Sequence, residues 1–428
     1  MRIAVLGAGL AGLTTAWCLM RDGHEVTLIE RNREVAGEAS GANGGIISAS
    51  RAFPWANPQM LKTFMRALTS NDQAVRVRVA RWDPAFWSWG MRFVGFCSAT
   101  RHAELLERKV RFVRYAQAQF GEITAQSGVV FDRRRGVMYL YRDAAGLEAG
   151  DKKMEPMRKF GFAIRTVDTA EARRIDPGLA QAPIAGAVYS ESDESGDSGQ
   201  FCRSLAEDMQ KRGAQLHLGC EVRGLRTEGD RLTGVEVSGL EGASDKGAGE
   251  KGTSEIKADA FVCALGIIDP ALSKTLGADL PIYPVRGFSA TLPIVNPAAA
   301  PRVAGMDESK LAAYCPMGNN LRLTGGAEFA GWGREAQPED FKRLHRLAEE
   351  LFPGATDASS GRSFVCRRPM TPQSTPLLGK GRYANLWFNV GLGHMGWTMS
   401  FGSARITADL IAGREAGIPL EGLLIKAT

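Results

Sequence analysis

Gly7, Gly9 and Gly12 have the spacing that most directly implies chemistry here, because a G-x-G-x-x-G run between a strand and a helix receives a pyrophosphate. The strand-like run Arg2 to Leu6, apolar from Ile3 on, precedes them, an apolar stretch runs on through Met20, and His24 to Glu30 alternates into a second strand ending in an acid. Gly7 permits the tight turn, Gly9 lets the backbone approach a diphosphate at the helix N-terminus, and Gly12 lets helix and sheet pack closely. Ala8, Leu10 and Ala11 complete the loop. Glu30 follows by about the twenty residues at which a carboxylate meets a ribose hydroxyl pair, with Arg31 beside it. The competing reading is a signal peptide or membrane helix, since Thr14 and Thr15 are the only polar side chains between Ile3 and Met20. Glycines interrupt that run and it passes directly into the alternating strand, so the chain reads as starting with its fold, untargeted.

A second strand–glycine loop–helix pattern closes the chain, through Gly391, Gly393, His394, Met395 and Gly396 into Thr398. Its helix N-terminus offers a second positive dipole end to a ligand. Two such receptors at opposite ends of one chain suit a long cofactor, FAD rather than NAD, because a flavin ring needs contacts of its own and a helix terminus near N1–C2=O stabilises negative charge there. The glycine-rich loop carrying Ala39, Ser40, Asn43, Gly44 and Gly45, followed by Ile46, can lie close to a flat ligand.

The elements that must position these residues follow from composition and period. With 428 residues and 44% hydrophobic content the chain can bury a large core and reads as two interleaved domains. Seven dispersed cysteines without a CxxC pair suggest neither a disulfide framework nor a zinc site, and a reducing cytoplasm is the natural compartment. A net charge of +6 without a block of like charges argues only weakly for nucleic acid or an anionic surface. Residues 60–128 read as an inserted helical layer broken at Asp83-Pro84. Strand patterns fall at 137–141, 187–189, 215–218, 232–237, 260–264, 282–292, 311–315, 321–325 and 386–390, with helices near 200–212, 339–351 and 397–412. The Gly/Ser/Lys/Glu segment 239–252 reads as a long mobile hairpin connection with nothing catalytic in it.

An ordered set of segments then carries a resemblance: the N-terminal fingerprint, Ser40-Gly41-Ala42-Asn43-Gly44-Gly45 with Pro54-Trp55-Ala56-Asn57-Pro58 after it, Asp193-Glu194-Ser195-Gly196-Asp197, Tyr283-Pro284-Val285-Arg286-Gly287, Arg368-Pro369-Met370-Thr371-Pro372, and Gly396-Trp397-Thr398-Met399. The chain resembles the FAD-dependent D-amino-acid oxidase superfamily, most closely the bacterial D-amino-acid dehydrogenases of small-subunit type. The resemblance implies an α/β fold, with a Rossmann-like FAD-binding domain of GR2 type (1–60, 190–280 and 360–428) interleaved with an α+β substrate domain (61–189 and 281–359). The antiparallel sheet of the second domain roofs the isoalloxazine ring. The resemblance extends the cofactor contacts to Val222 and Gly266, and implies noncovalent FAD, although Cys366 falls where sarcosine oxidases carry a flavin-linked cysteine. It maps the carboxylate-binding arginine to Arg368, whose fork suits a carboxylate, an assisting tyrosine to Tyr314, and a substrate-facing position to His394. Arg367 stands where the family usually has Leu, and Gln373-Ser374 replaces Asp-Gly, so substrate identity stays open. Arg286 and Arg367 are rival anchors, and two adjacent arginines would suit a dicarboxylate or another strongly anionic substrate.

The implied chemistry is hydride removal from Cα to flavin N5 with the substrate amine neutral, then hydrolysis of the imine to a 2-oxo acid and ammonia, with no obligatory acid or base. The expected partners are a D-amino acid or related amine or imino acid and an electron acceptor, a quinone or other carrier. The alternatives are a glycine- or sarcosine-type oxidase using oxygen, a tRNA-modifying flavoprotein, and a flavin-bound interaction protein without turnover. Trp82, Phe86, Trp87, Trp89, Phe93 and Phe96 lie among Arg76, Arg78, Arg81 and Arg92, a composition that fits either a helix packed on the substrate domain or a peripheral anchor on the inner membrane face.

Overall fold

The strand Arg2–Leu6 sits inside a six-stranded sheet, flanked by Ala260–Cys263 and Glu25–Glu30, both parallel to it. Leu386–Val390 and Gln215–Leu218 extend the parallel order on either side, and Leu377–Lys380 adds an antiparallel edge. Alternation along the first strand explains its unbroken apolar run. Ile3 and Val5 enter a core with the helices Leu10–Arg21, Ser198–Lys211 and Gly396–Ile411, whereas Ala4 and Leu6 enter a second core with Leu232, Val235 and Val237 of the small antiparallel sheet on the other face. Both faces of a parallel sheet are covered, so the positions from Ile3 to Leu6 are all apolar, and only Arg2 at the exposed start is charged. The computed structural model describes residues 1–69, 75–78, 83–239, 253–268, 270–332 and 335–425. Residues 240–252 of the low-complexity segment lie outside them.

A ten-stranded sheet forms the second layer. Its main path runs from Arg362–Met370 through Tyr283–Pro293, Asn320–Phe329, Ala312–Met317, Ala304–Asp307 and Arg134–Tyr141 to Gly186–Ser195 and Ile46–Ile47. The amphipathic helix Pro338–Leu351 covers its back, burying Leu344, Leu347 and Leu351 against Phe288, Leu321 and Leu323. Its front faces the first layer.

Two boundaries read from the sequence shift. Arg362–Met370, grouped above with the cofactor domain, pairs along its length with Tyr283–Pro293 in the substrate sheet, and Gly186–Ser195 runs through the boundary at 190. The long helix Ala99–Gln126, grouped with the substrate domain, packs Phe120 and Ile123 into the helical core beside Phe401 of the C-terminal helix. Hydrophobic period identifies a helix or strand but not the surface that receives it.

In the helix Pro84–Gly95, Phe86, Trp89 and Phe93 are buried against Phe64, Tyr283 and Phe329. Arg76, Arg78 and Arg92 pair with Asp340, Glu328 and Asp279. Most of the aromatic run is therefore core, while Trp87, Met91 and Val94, at 37%, 71% and 46% exposure, form an outward stripe. Trp82 and Arg81 lie outside the described residues.

Candidate active site

A single cavity of about 1110 Å³ runs between the two layers, from Glu30, Arg31 and Val222 at one end to Arg367 and Arg368 at the other. At the first end the glycine loop has the geometry its spacing predicts. Gly7 has φ +103°, and a Cβ on Gly12 would lie 1.8 Å from the Gly7 carbonyl oxygen. The Leu10 amide donates to Ser40 Oγ at 3.0 Å, which ties the helix start to the second glycine-rich loop. Glu30 accepts from the Ala8 amide at 2.9 Å and from the Asn32 amide and side chain, so its carboxylate is held at the loop. Gly7, Gly9, Leu10, Ala11, Glu30, Arg31, Ala39, Ser40, Asn43, Gly44, Ile46, Val222 and Gly266 all line the cavity.

Four of the expected cofactor contacts do not line it. Ala8, Gly12, Gly45 and Gly391 shape the loops from behind. Gly45 (φ +76°) has Met317 and Cys315 where a Cβ would stand, and Gly391 (φ +74°) has Thr371 there. Their types are dictated by backbone conformation and crowding rather than by a ligand.

At the other glycine loop, Gly393, His394, Met395, Gly396 and Thr398 line the cavity. The helix Gly396–Ile411 starts there, continuing from the short turn Gly393–Met395, with no side chain capping it. Thr398 Oγ1 accepts from the Ser48 amide at 3.0 Å, and Asp193, fully buried, accepts from Ser48 Oγ, Tyr139 Oη, and the amide and hydroxyl of Ser50. This network locks the wall to both layers. The His394 ring stacks on Trp55 at 5.0 Å, and burial, then the nearby Lys109 and Arg368 charges, hold its pKa well below the ordinary value.

The roof is set by strand register. Thr324 pairs with Ala313, Ala313 with Met306, and Met306 with Tyr139, and all four line the cavity. Their neighbours Leu323, Tyr314, Gly305 and Met138 pair one position along, and the side chains of Leu323, Tyr314 and Met138 point to the back. Tyr314, expected at the substrate, is therefore corrected. It is fully buried behind the sheet, packed edge-on against Phe352 at 4.9 Å, and its hydroxyl has no hydrogen-bond partner among the described residues. Strand side chains alternate, so an offset of one residue changes the face.

Arg368 does line the cavity. Its guanidinium lies over Gly287, where a Cβ would come within 2.4 Å, and Nη1 donates to the Gly326 carbonyl at 2.7 Å. Gly287 thus makes room for a half-buried fork that the Gly326 carbonyl holds. Arg367 also lines the cavity and donates to the Trp332 carbonyl at 3.0 Å. Arg286 does not line it: it is 3% exposed and paired with the buried Glu328, which also pairs with Arg78. Cys366 is buried and lines the cavity.

Four charged residues at this end carry no motif in the sequence. Arg51 stacks on Tyr139 at 4.4 Å and pairs with Glu308, and Lys153 reaches Glu308 at 3.9 Å. Lys109 is fully buried and donates to the Phe53 carbonyl at 3.2 Å. Lys109 had a legible signal, since it occupies the buried stripe of its helix between Leu105 and Val113. The others carry none, because they converge only through the fold.

The residues present suit FAD, with loop geometry for a diphosphate, a held carboxylate at the ribose end, and an uncapped helix N-terminus at the ring end. The family of FAD dependent oxidoreductases termed DAO matches residues 2–410. The D-amino acid dehydrogenase of Paramagnetospirillum magneticum is 38% identical over 99% of this chain and 98% of its own. D-amino acid dehydrogenase 2 of Mesorhizobium japonicum is 38% identical over 99% of each chain. Among solved structures, glycine oxidase from Geobacillus kaustophilus and iminodiacetate oxidase from Chelativorans sp. BNC1 share the fold, each with TM-score 0.71 at 20% identity over 100% of this chain and 99% of theirs. The chain belongs to the DAO family of FAD-dependent oxidoreductases.

Proposed function

We propose that the protein is a D-amino-acid dehydrogenase, oxidising the Cα–N bond of its substrate to an imine that hydrolyses to a 2-oxo acid and ammonia. The observation that carries this reading is Arg368, a half-buried guanidinium fork at the end of an FAD-shaped cavity, beside small roof residues that leave room for an amino acid. Bound FAD supplies the hydride acceptor. Arg368 fixes the substrate carboxylate bidentately and so aligns Cα–H. His394, held neutral, contributes stacking and a hydrogen-bonding nitrogen rather than a proton. The uncapped helix N-terminus at Gly396 stabilises negative charge developing on the ring. The D-amino acid dehydrogenases among its relatives support the D-configuration. Anaerobic loss of flavin absorbance on adding D- but not L-amino acids is the expected result, and reduction only by L-amino acids or N-methylated amines would sink the assignment.

The acceptor is a quinone or other carrier in this reading, with Trp87, Met91 and Val94 as a peripheral contact on the inner membrane face. Their exposure on one helix supports the contact, and no helix among the described residues is long and apolar enough to cross a membrane. Free cysteines, with no disulfide among the described residues, support a cytoplasmic setting. Reoxidation of the reduced enzyme in air separates a dehydrogenase, which stays reduced for minutes, from an oxidase. Failure to sediment with anionic vesicles at low salt would end the membrane contact.

A further inference from the structure

Away from the ribose end, the charged side chains lining the cavity are unbalanced. Among the described residues Arg51, Lys153, Arg367 and Arg368 face it with Glu308 as the only carboxylate. Glu308 is already shared between Arg51 and Lys153. The other carboxylate nearby, Asp193, lies behind Tyr139 with its oxygens taken by Ser48, Ser50 and Tyr139.

Register locates the two cationic groups relative to each other. Met306 is level with Ala313 and Thr324, and Asp307 with Ala312 and Gly325, so Glu308, in the turn just beyond, and Gly326, whose carbonyl holds Arg368, lie at the same end of the sheet. Two strand spacings separate them, about 10 Å. The wall between is the segment Phe53 to Trp55, with the Phe53 ring beneath both Arg51 and Lys153. Lys109 stands behind that wall, fully buried, with the Phe53 carbonyl as its acceptor and no carboxylate within ion-pair distance among the described residues. A buried ammonium without an anion is costly to keep, and the cost falls when an anion occupies the space beside it. Burial alone draws its pKa down to about 7.

We propose that the substrate is an acidic D-amino acid, its α-carboxylate on Arg368 and its side-chain carboxylate at the cationic end formed by Arg51, Lys109 and Lys153. This rests on the amino-acid reading above and narrows it to a dianionic class. Arg51 and Lys153 leave one positive charge beyond Glu308, Lys109 behind the wall takes up its proton as an anion binds, and the small roof residues Thr324 and Ala313 leave the path between the two ends open. A neutral side chain of equal length leaves that charge unmatched.

The test compares paired substrates on the holoenzyme under anaerobic conditions: D-glutamate with D-glutamine, and D-2-aminoadipate with D-norleucine. The acidic member of at least one pair is expected to reduce the flavin with kcat/KM at least tenfold higher. Lys153→Ala, at a half-exposed position that tolerates truncation, and Arg51→Met and Lys109→Met are expected to shrink that ratio several-fold. Glutarate and butyrate, followed by their perturbation of the flavin spectrum, give the same comparison as Kd without turnover. Neutral members that match the acidic ones, or variants that lower both members equally, overturn the proposal. If no amino acid of either kind reduces the flavin, the amino-acid reading fails instead, and the glutarate-to-butyrate ratio still reports whether the cationic end binds a second carboxylate.

Discussion

The two ends of the cavity are built by different means. The dinucleotide end is made of backbone: Gly7, Gly9 and Gly12 lie within six residues of one another, and what they do follows from φ angles and missing Cβ atoms. The substrate end is made of side chains brought from five separate stretches, at Arg51, Lys109, Lys153, Glu308 and Arg368. A local backbone motif tolerates almost no substitution and announces itself in sequence. A convergent side-chain cluster can change its members without disturbing the fold, and that is how one family reaches different substrates.

The largest expected effect breaks the first end. Gly12→Ala would set a methyl 1.8 Å from the Gly7 carbonyl oxygen, closer than any packing accepts, so the loop must move. The purified variant should lose most of its FAD on desalting, measured as the flavin-to-protein absorbance ratio. Stoichiometric retention would show that the loop is not a rigid receptor.

Next comes the substrate end without the cofactor end. Arg368→Ala should cut kcat/KM by about two to four orders of magnitude, roughly 3 to 5 kcal/mol of transition-state stabilisation, at unchanged FAD content. Arg368→Lys should recover little, because a point charge does not reproduce a fork. Arg286→Ala should act through stability, since it strips a buried partner from Glu328. Steady-state kinetics of Arg367→Ala sharpen the assignment: if that variant collapses while Arg368→Ala keeps near-native kcat/KM, the anchor is misplaced.

A smaller effect separates the ends by pH. Lys109 has a folded pKa near 7 against an ordinary 10.5, so below pH 7 the folded state must carry a charge that burial disfavours. The penalty is complete there and fades as pH rises from 7 towards 10.5, by up to roughly 5 kcal/mol across the window. Lys109→Met should therefore melt higher than the parent at pH 6 in the absence of substrate, with the difference in Tm closing by pH 10. A constant difference across that range would contradict the buried, unpaired ammonium.

The smallest expected effect is at Tyr314. With its hydroxyl unpartnered behind the roof, Tyr314→Phe should leave kcat/KM within about twofold and stability unchanged or higher by roughly 1 kcal/mol. A large loss of activity would mean that the back of the sheet communicates with the site.

The cofactor class and the glycine loops are legible in the chain alone, because each depends on residues close together and on backbone geometry that only glycine satisfies, and the family is legible in the order of its motifs. The ordered motif Arg368-Pro369-Met370-Thr371-Pro372 also singled out Arg368, but not the strand Arg362–Met370 that carries it. The chain alone did not determine which face of a strand meets the cavity. Tyr314 and Ala313 are neighbours in the chain, and only the pairing of Ala313 with Thr324 and Met306 decides that the alanine is inside. Nor did hydrophobic period show that Ala99–Gln126 packs on the cofactor layer, or that Arg51, Lys153 and Glu308 meet. These facts belong to long-range register and packing, where a shift of one residue in a period of two reverses inside and outside. Long-range packing thus sets the charge beside Arg51, Lys153 and Glu308.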